Sequence, residues 1–182
     1  MRSLSLAVVA ALAIAACGGA GTPTPAATSP TAASPTADAN KVTFSADLKA
    51  ENEVPPISND EKSASGKATV VLELTRDASG KITAAKASFD VQLSGFPSGA
   101  APTLAHIHQA PAGQNGGVKV GIKTDADNPV QLSAGSGEIK KSGVDVDPAV
   151  AQAILDKPGD FYVNVHSRAN QGGVVRGQLT KM

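Results

Sequence analysis

The 182-residue sequence has one cysteine, no tryptophan and one tyrosine. A single cysteine excludes an intramolecular disulfide, so the fold must be held by packing and hydrogen bonds. One tyrosine and four phenylalanines supply few stacking surfaces for bases or sugars. The core must therefore come mainly from Val, Ile, Leu and Ala. An excess of either charge is also missing: 16 Lys and Arg balance 16 Asp and Glu. There is no basic field for nucleic acid and no Lys/Arg cluster for anionic lipid. No Ser/His/Asp arrangement and no phosphate-cradling glycine loop is visible, so nothing in the sequence points to an enzyme.

Long hydrophobic runs are also lacking. The longest, Leu4 to Ala16, is about 13 residues and is broken by Ser5. A bilayer span needs ~20 apolar residues. After Met1-Arg2-Ser3 this run has the form of a signal-peptide hydrophobic region, residues 1–16. It ends Ile14-Ala15-Ala16-Cys17-Gly18, which resembles the bacterial lipobox. The resemblance implies cleavage before Cys17 and lipidation of Cys17, with palmitate-type chains holding the protein to the membrane. Cleavage removes Arg2 and leaves 15 basic against 16 acidic side chains. Residues 17–40 follow as a Gly, Thr, Pro, Ala and Ser segment, as in Thr22-Pro23-Thr24-Pro25. Such a composition cannot bury enough apolar surface to fold and reads as a disordered tether. The membrane is then reached through the lipid anchor alone, and residues 41–182 are displayed on the extracytoplasmic side.

From Lys41 onward the pattern becomes period two, the mark of strands buried on one face. Val42, Phe44, Ala46 and Leu48 alternate with Thr43, Ser45 and Asp47. Further runs centre on Val70–Leu74, Ala87–Leu93, Val118–Ile122, Phe161–Val165 and Val175–Leu179. Turn signals separate them, among them Ala78-Ser79-Gly80 and Gln171-Gly172-Gly173. One helix is predicted: Asp147 caps it, Pro148 fits its first turn, and Lys157-Pro158-Gly159 stops it. The sum is an all-β antiparallel sandwich or barrel of about seven or eight short strands with one connecting helix.

The three histidines fall in two strand contexts, Leu104-Ala105-His106-Ile107-His108 and Phe161 to His166. Residues at i and i+2 on a strand share a face, with Cβ atoms ~6.5–7 Å apart. With Ala105, Ile107, Phe161, Val163 and Val165 inward, His106, His108, His166, Tyr162, Asn164 and Arg176 belong to the outer face. Matching faces across a hairpin places Asn164 opposite Arg176 and His166 opposite Val174.

Glu53-Val54-Pro55-Pro56, Ala105-His106-Ile107-His108, Tyr162 to Ser167, and Gly173-Val174-Val175-Arg176-Gly177-Gln178-Leu179 together resemble the CHRD domain, named for its occurrence in chordin and common in bacterial secreted proteins. The resemblance runs through nearly all of residues 42–180. It implies an immunoglobulin-like all-β fold and no settled activity in bacteria. At Val174 the family often has an acidic residue, so a charged partner for Arg176 is expected to be missing. A narrower resemblance is to copper/zinc superoxide dismutase, also an antiparallel sandwich with a His-x-His pair. Three histidines cannot fill both of that enzyme's metal sets.

Two readings of His106, His108 and His166 remain open. They either hydrogen-bond loop carbonyls and hold the Gly95–Pro102 and Gln109–Gly117 segments, or they form a copper or zinc site. Glu53 is a fourth ligand, an outer acceptor, or the start of a Pro-Pro turn. In the metal reading Asn164 and Arg176 would orient the rings; Arg176 is most simply a partner for carbonyls or for Glu53. Asp125, Asp127, Asp145 and Asp147 lack the glycine and glutamate positions of a calcium loop. In function, the domain is either an envelope module that binds a protein or matrix partner, or an envelope metal-binding protein, with redox chemistry as one outcome. Neither needs nucleic acid.

Overall fold

The computed structural model describes residues 37–182. The expected signal at 1–16, Cys17 and the tether as far as residue 36 lie outside the described residues. The last four residues assigned to the tether, Ala37–Asn40, form a 3-10 turn that leads into the first strand.

The alternating runs become strands β1 (Lys41–Lys49), β2 (Ser65–Arg76), β3 (Ile82–Ser94), β4 (Pro102–Gln109), β5 (Gly117–Lys123), β7 (Phe161–Ser167) and β8 (Val175–Gln178). Two more, β6 (Gly137–Val146) and β9 (Thr180–Lys181), lie outside the clear runs. All pairings are antiparallel, in the order β5-β4-β7-β8-β1-β2-β3-β6, with β9 beside β1. The eight-stranded path curls into a nearly closed barrel, as the patterning predicts. The β2–β3 hairpin is longer than expected, at 12 and 13 residues.

The connecting helix is also where the capping signal places it. Helix α1 (Pro148–Asp156) joins β6 to β7, and the Asp147 carboxylate accepts from the backbone N–H of Ala149 and Val150. This satisfies two of the donors a helix start leaves unpaired. Its Ala151 and Ile154 are fully buried in the core.

The core is aliphatic. Leu48, Val70, Leu72, Val91, Ile107, Val163 and Val165 pack around Phe44, Phe89 and Phe161. Each such side chain contributes ~1.5–3 kcal/mol on burial. The barrel stops short of closure at β5 and β6, whose facing edges border a cleft of about 800 Å³ lined by Ile122, Lys123, Ile139 and Lys140. Lys119 and Lys123 on one edge and Lys140 and Lys141 on the other discourage pairing with a further strand.

One expected inward residue departs. Val118 is 54% exposed. A bulge between the Ile107–Val120 and His108–Val118 pairs inserts Lys119 and moves Val118 off the core face. The expected outer face of β7 and β8 is also different: Tyr162, Asn164, His166 and Arg176 do point away from the apolar core, but all four are buried. Three segments cover them: 50–57 after β1, 110–116 after β4, and 168–174 after β7.

Candidate metal centre

Three adjacent strands assemble the site. In β4 and β7 the register sets His106 opposite Asn164 and His108 opposite Tyr162. In β7 and β8 it sets Asn164 opposite Arg176, the pairing that face-matching predicts. His166 lies one pleat beyond Asn164 on the same face, and its ring leans over to the pair on β4. The ring centroids are 5.1 Å from His106 to His166, 5.7 Å from His106 to His108 and 6.0 Å from His108 to His166. One nitrogen from each ring falls within 4.8 Å of the others.

Two of the rings are fixed by backbone carbonyls. His108 Nδ1 donates to the Gly116 carbonyl at 2.9 Å, and His166 Nδ1 donates to the Gln171 carbonyl at 2.8 Å. A neutral imidazole that donates through Nδ1 has its lone pair on Nε2. Both Nε2 atoms therefore face the cluster as acceptors. His166 Nε2 accepts from His106 Nδ1 at 3.2 Å, while His108 Nε2 is buried with no partner. His106 is half-buried and opens the cluster to solvent on its side. Burial, then the neighbouring His166 and His108 rings, push His106 down to about 4. Burial also lowers His166, against the opposing effect of the Gln171 carbonyl. Those two rings stay neutral at neutral pH.

The loop-holding role expected of the histidines is present in part. His108 holds the 110–116 loop; His166 holds the 168–174 loop, not Gly95–Pro102. Glycine is required in both loops. At Gly116 a Cβ would strike the Gln109 carbonyl, and at Gly173, with φ +134°, it would lie 2.6–2.8 Å from Asn164 and Glu53.

Beside the rings is a second buried network. Glu53 is 5% exposed, its Oε2 is 3.4 Å from Arg176 Nε, and Asn164 Nδ2 donates to it at 3.1 Å. Arg176 therefore has a charged partner, supplied by Glu53 from across the fold, and Val174 is fully buried. Arg176 also donates to the carbonyls of Asn52 and Gln114 and to Asn115 Oδ1, tying two covering segments to the sheet. Burial raises Glu53 to about 7, outweighing the attraction of Arg176 and the Asn164 hydrogen bond. Glu53 belongs to this network and not to the set of converging nitrogens, and the groups bonded to the histidine Nδ1 atoms are carbonyls, not Asn164 or Arg176.

Glu61 is a buried neighbour of the cluster that sequence reading misses. It is 4% exposed and accepts from Ser167 Oγ and Asn170 Nδ2, anchoring the loop that holds His166. Its partners lie more than 100 residues away in sequence, and no local pattern marks it.

No curated protein and no solved structure shows a significant match to the chain. The family comparison does: the CHRD domain pattern spans residues 44–179, which include every strand of the site and all three histidines. The chain belongs to the CHRD domain family.

Proposed function

We propose that this chain is an exported lipoprotein whose CHRD domain binds copper or zinc through His106, His108 and His166. The observation that carries the reading is the orientation of His108. Its Nδ1 is committed to a carbonyl, and its Nε2 lone pair is buried, unpartnered and within reach of two other imidazoles. A buried polar atom without a partner is costly, and a metal ion would satisfy it. The 3.2 Å between His106 Nδ1 and His166 Nε2 suits a common ion. Two nitrogens bound at ~2.0–2.1 Å with tetrahedral angles stand roughly 3.3–3.4 Å apart. Imidazoles without a carboxylate favour copper, zinc or nickel over magnesium or calcium. Carbonyls holding the distal Nδ1–H groups are the usual outer support of such ligands.

The test is titration of copper(II) and zinc into protein prepared without a His tag. One equivalent is expected to bind, and His106→Ala/His108→Ala should weaken binding by at least about 100-fold. Equal, weak binding by both proteins would sink the proposal. The anchor is tested separately. Cys17→Ser should move the protein from the membrane fraction to the soluble fraction, and an unlipidated Cys17 by mass spectrometry would rule the anchor out.

Family membership and a rigid antiparallel scaffold also favour an interaction module that meets a protein or matrix partner through loops. In that reading the histidines serve the loops alone, and the metal titration separates the two.

A further inference from the structure

We infer that Tyr162 is a positioning residue that sets the tautomer of His108, an inference that rests on the metal reading for its purpose. The tyrosine ring stacks on the His108 ring, with centroids 5.1 Å apart and planes 12° from parallel. From the β8 side, the Arg176 guanidinium carbon lies 4.8 Å from the same ring centroid. The three side chains form one stack across β4, β7 and β8. A cation over a tyrosine face is held by the ring quadrupole, so Arg176 resists displacement of the ring.

The hydroxyl at the end of that ring accepts from the backbone N–H of Gly116 at 3.2 Å. Gly116 is the residue whose carbonyl accepts from His108 Nδ1. Arg176 Nη1 holds Gln114 and Asn115, the two preceding residues of the same loop. The Gly116 carbonyl is therefore aimed at His108 by one hydroxyl and one guanidinium, and its demand for a donor keeps the proton on Nδ1. The Nε2 lone pair is thereby left facing His106 and His166. Without the hydroxyl the carbonyl is no longer fixed, and the ring is free to place its proton on Nε2, where it blocks a metal. The loop that covers the site becomes part of the site's chemistry.

Tyr162→Phe tests this because it removes the hydroxyl and keeps the stacked ring. Long-range ¹H–¹⁵N spectra of the metal-free chain should show His108 protonated at Nδ1 in the wild type and divided between tautomers in the variant. Hydrogen exchange at the Gly116 amide should be faster in the variant, a readout independent of histidine. Copper(II) and zinc affinity should fall about 10-fold, the lower end for loss of an outer support. A wild type protonated at Nε2, or a variant that keeps both the Nδ1 proton and the affinity, would overturn the inference. If the tautomer relaxes as expected but neither protein takes up copper(II) or zinc, the positioning role stands and the metal reading fails.

Discussion

The β2–β3 hairpin and strand β7 are built on opposite plans. In β2, Val70, Leu72 and Leu74 are buried while Glu73 and Thr75 are exposed. In β7 all seven residues are buried. The hairpin spends one face on the core and leaves the other to water, as half-buried strands do. β7 has an apolar face of Phe161, Val163 and Val165, and a polar face of Tyr162, Asn164 and His166 roofed by three loops. Buried polar groups need partners. Among the described residues four buried side-chain atoms have none, and three of these, His108 Nε2, Asn164 Oδ1 and Arg176 Nη2, belong to this roofed face. The core face of β7 supports the fold by packing, whereas the roofed face supports it by holding the covering loops and still leaves polar atoms unpartnered.

Substitution on the apolar side of β7 carries the largest expected effect. Val163→Asp places an unpaired charge in the core and should cost more than about 4 kcal/mol, enough to prevent folding in urea or thermal melts. On the roofed face, Arg176→Leu leaves the buried Glu53 carboxylate unpaired, with an expected loss of about 3–5 kcal/mol. Because Glu53 can take up a proton, that loss should be larger at pH 8 than at pH 5. A loss independent of pH would mean that packing, and not charge, is what Arg176 supplies.

The pH dependence of the wild type sharpens the same contrast more gently. Glu53 holds its proton to about 7 in the folded chain, against 4.5 for an unperturbed carboxyl. Between these values the folded state binds more protons, so its contribution falls as pH rises from 4.5 to about 7. His106 behaves oppositely. Its folded value of about 4 lies below 6.5, the unfolded state binds more protons, and stability falls as pH drops from 6.5 toward 4. The two contributions oppose each other where these ranges overlap, so between about 4.5 and 6.5 Glu53→Gln should make stability rise more steeply with pH and His106→Ala should make it rise less, both read from denaturation midpoints across pH. A Glu53→Gln profile that parallels the wild type would contradict this account. Smallest of all, Thr75→Asp on the exposed face of β2 should change stability by less than about 0.5 kcal/mol.

Much of the framework is legible in the sequence, because alternation and capping are local. The β1, β2 and β3 strands follow from their apolar runs, and α1 from Asp147 and Pro148. The β6 strand does not, since only Ile139 and Val146 of its ten residues are buried and Gly143, at φ +67°, interrupts the pleat. Parity alone groups the three histidines with Asn164, Tyr162 and Arg176 and gives the Asn164–Arg176 register. It cannot reveal that this face is roofed. Hydrogen bonding of the histidines to loop carbonyls is one of the two sequence readings, and His108 on Gly116 fulfils it for Gln109–Gly117; the Gln171 carbonyl, on a loop that reading does not name, carries no side-chain signature. The partnership of Arg176 with carbonyls or with Glu53, 123 residues earlier, is legible from the residue types, and the structure holds both.

The tyrosine stack has an optical consequence. Since the chain has no tryptophan and a single tyrosine, essentially all of its protein emission arises from one ring, and that ring lies against His108. A redox-active or paramagnetic ion on the histidines would drain that emission by electron or energy transfer, whereas closed-shell zinc would leave it largely intact. In the metal reading that single ring would distinguish the two candidate ions without a label, a tag or a mutation.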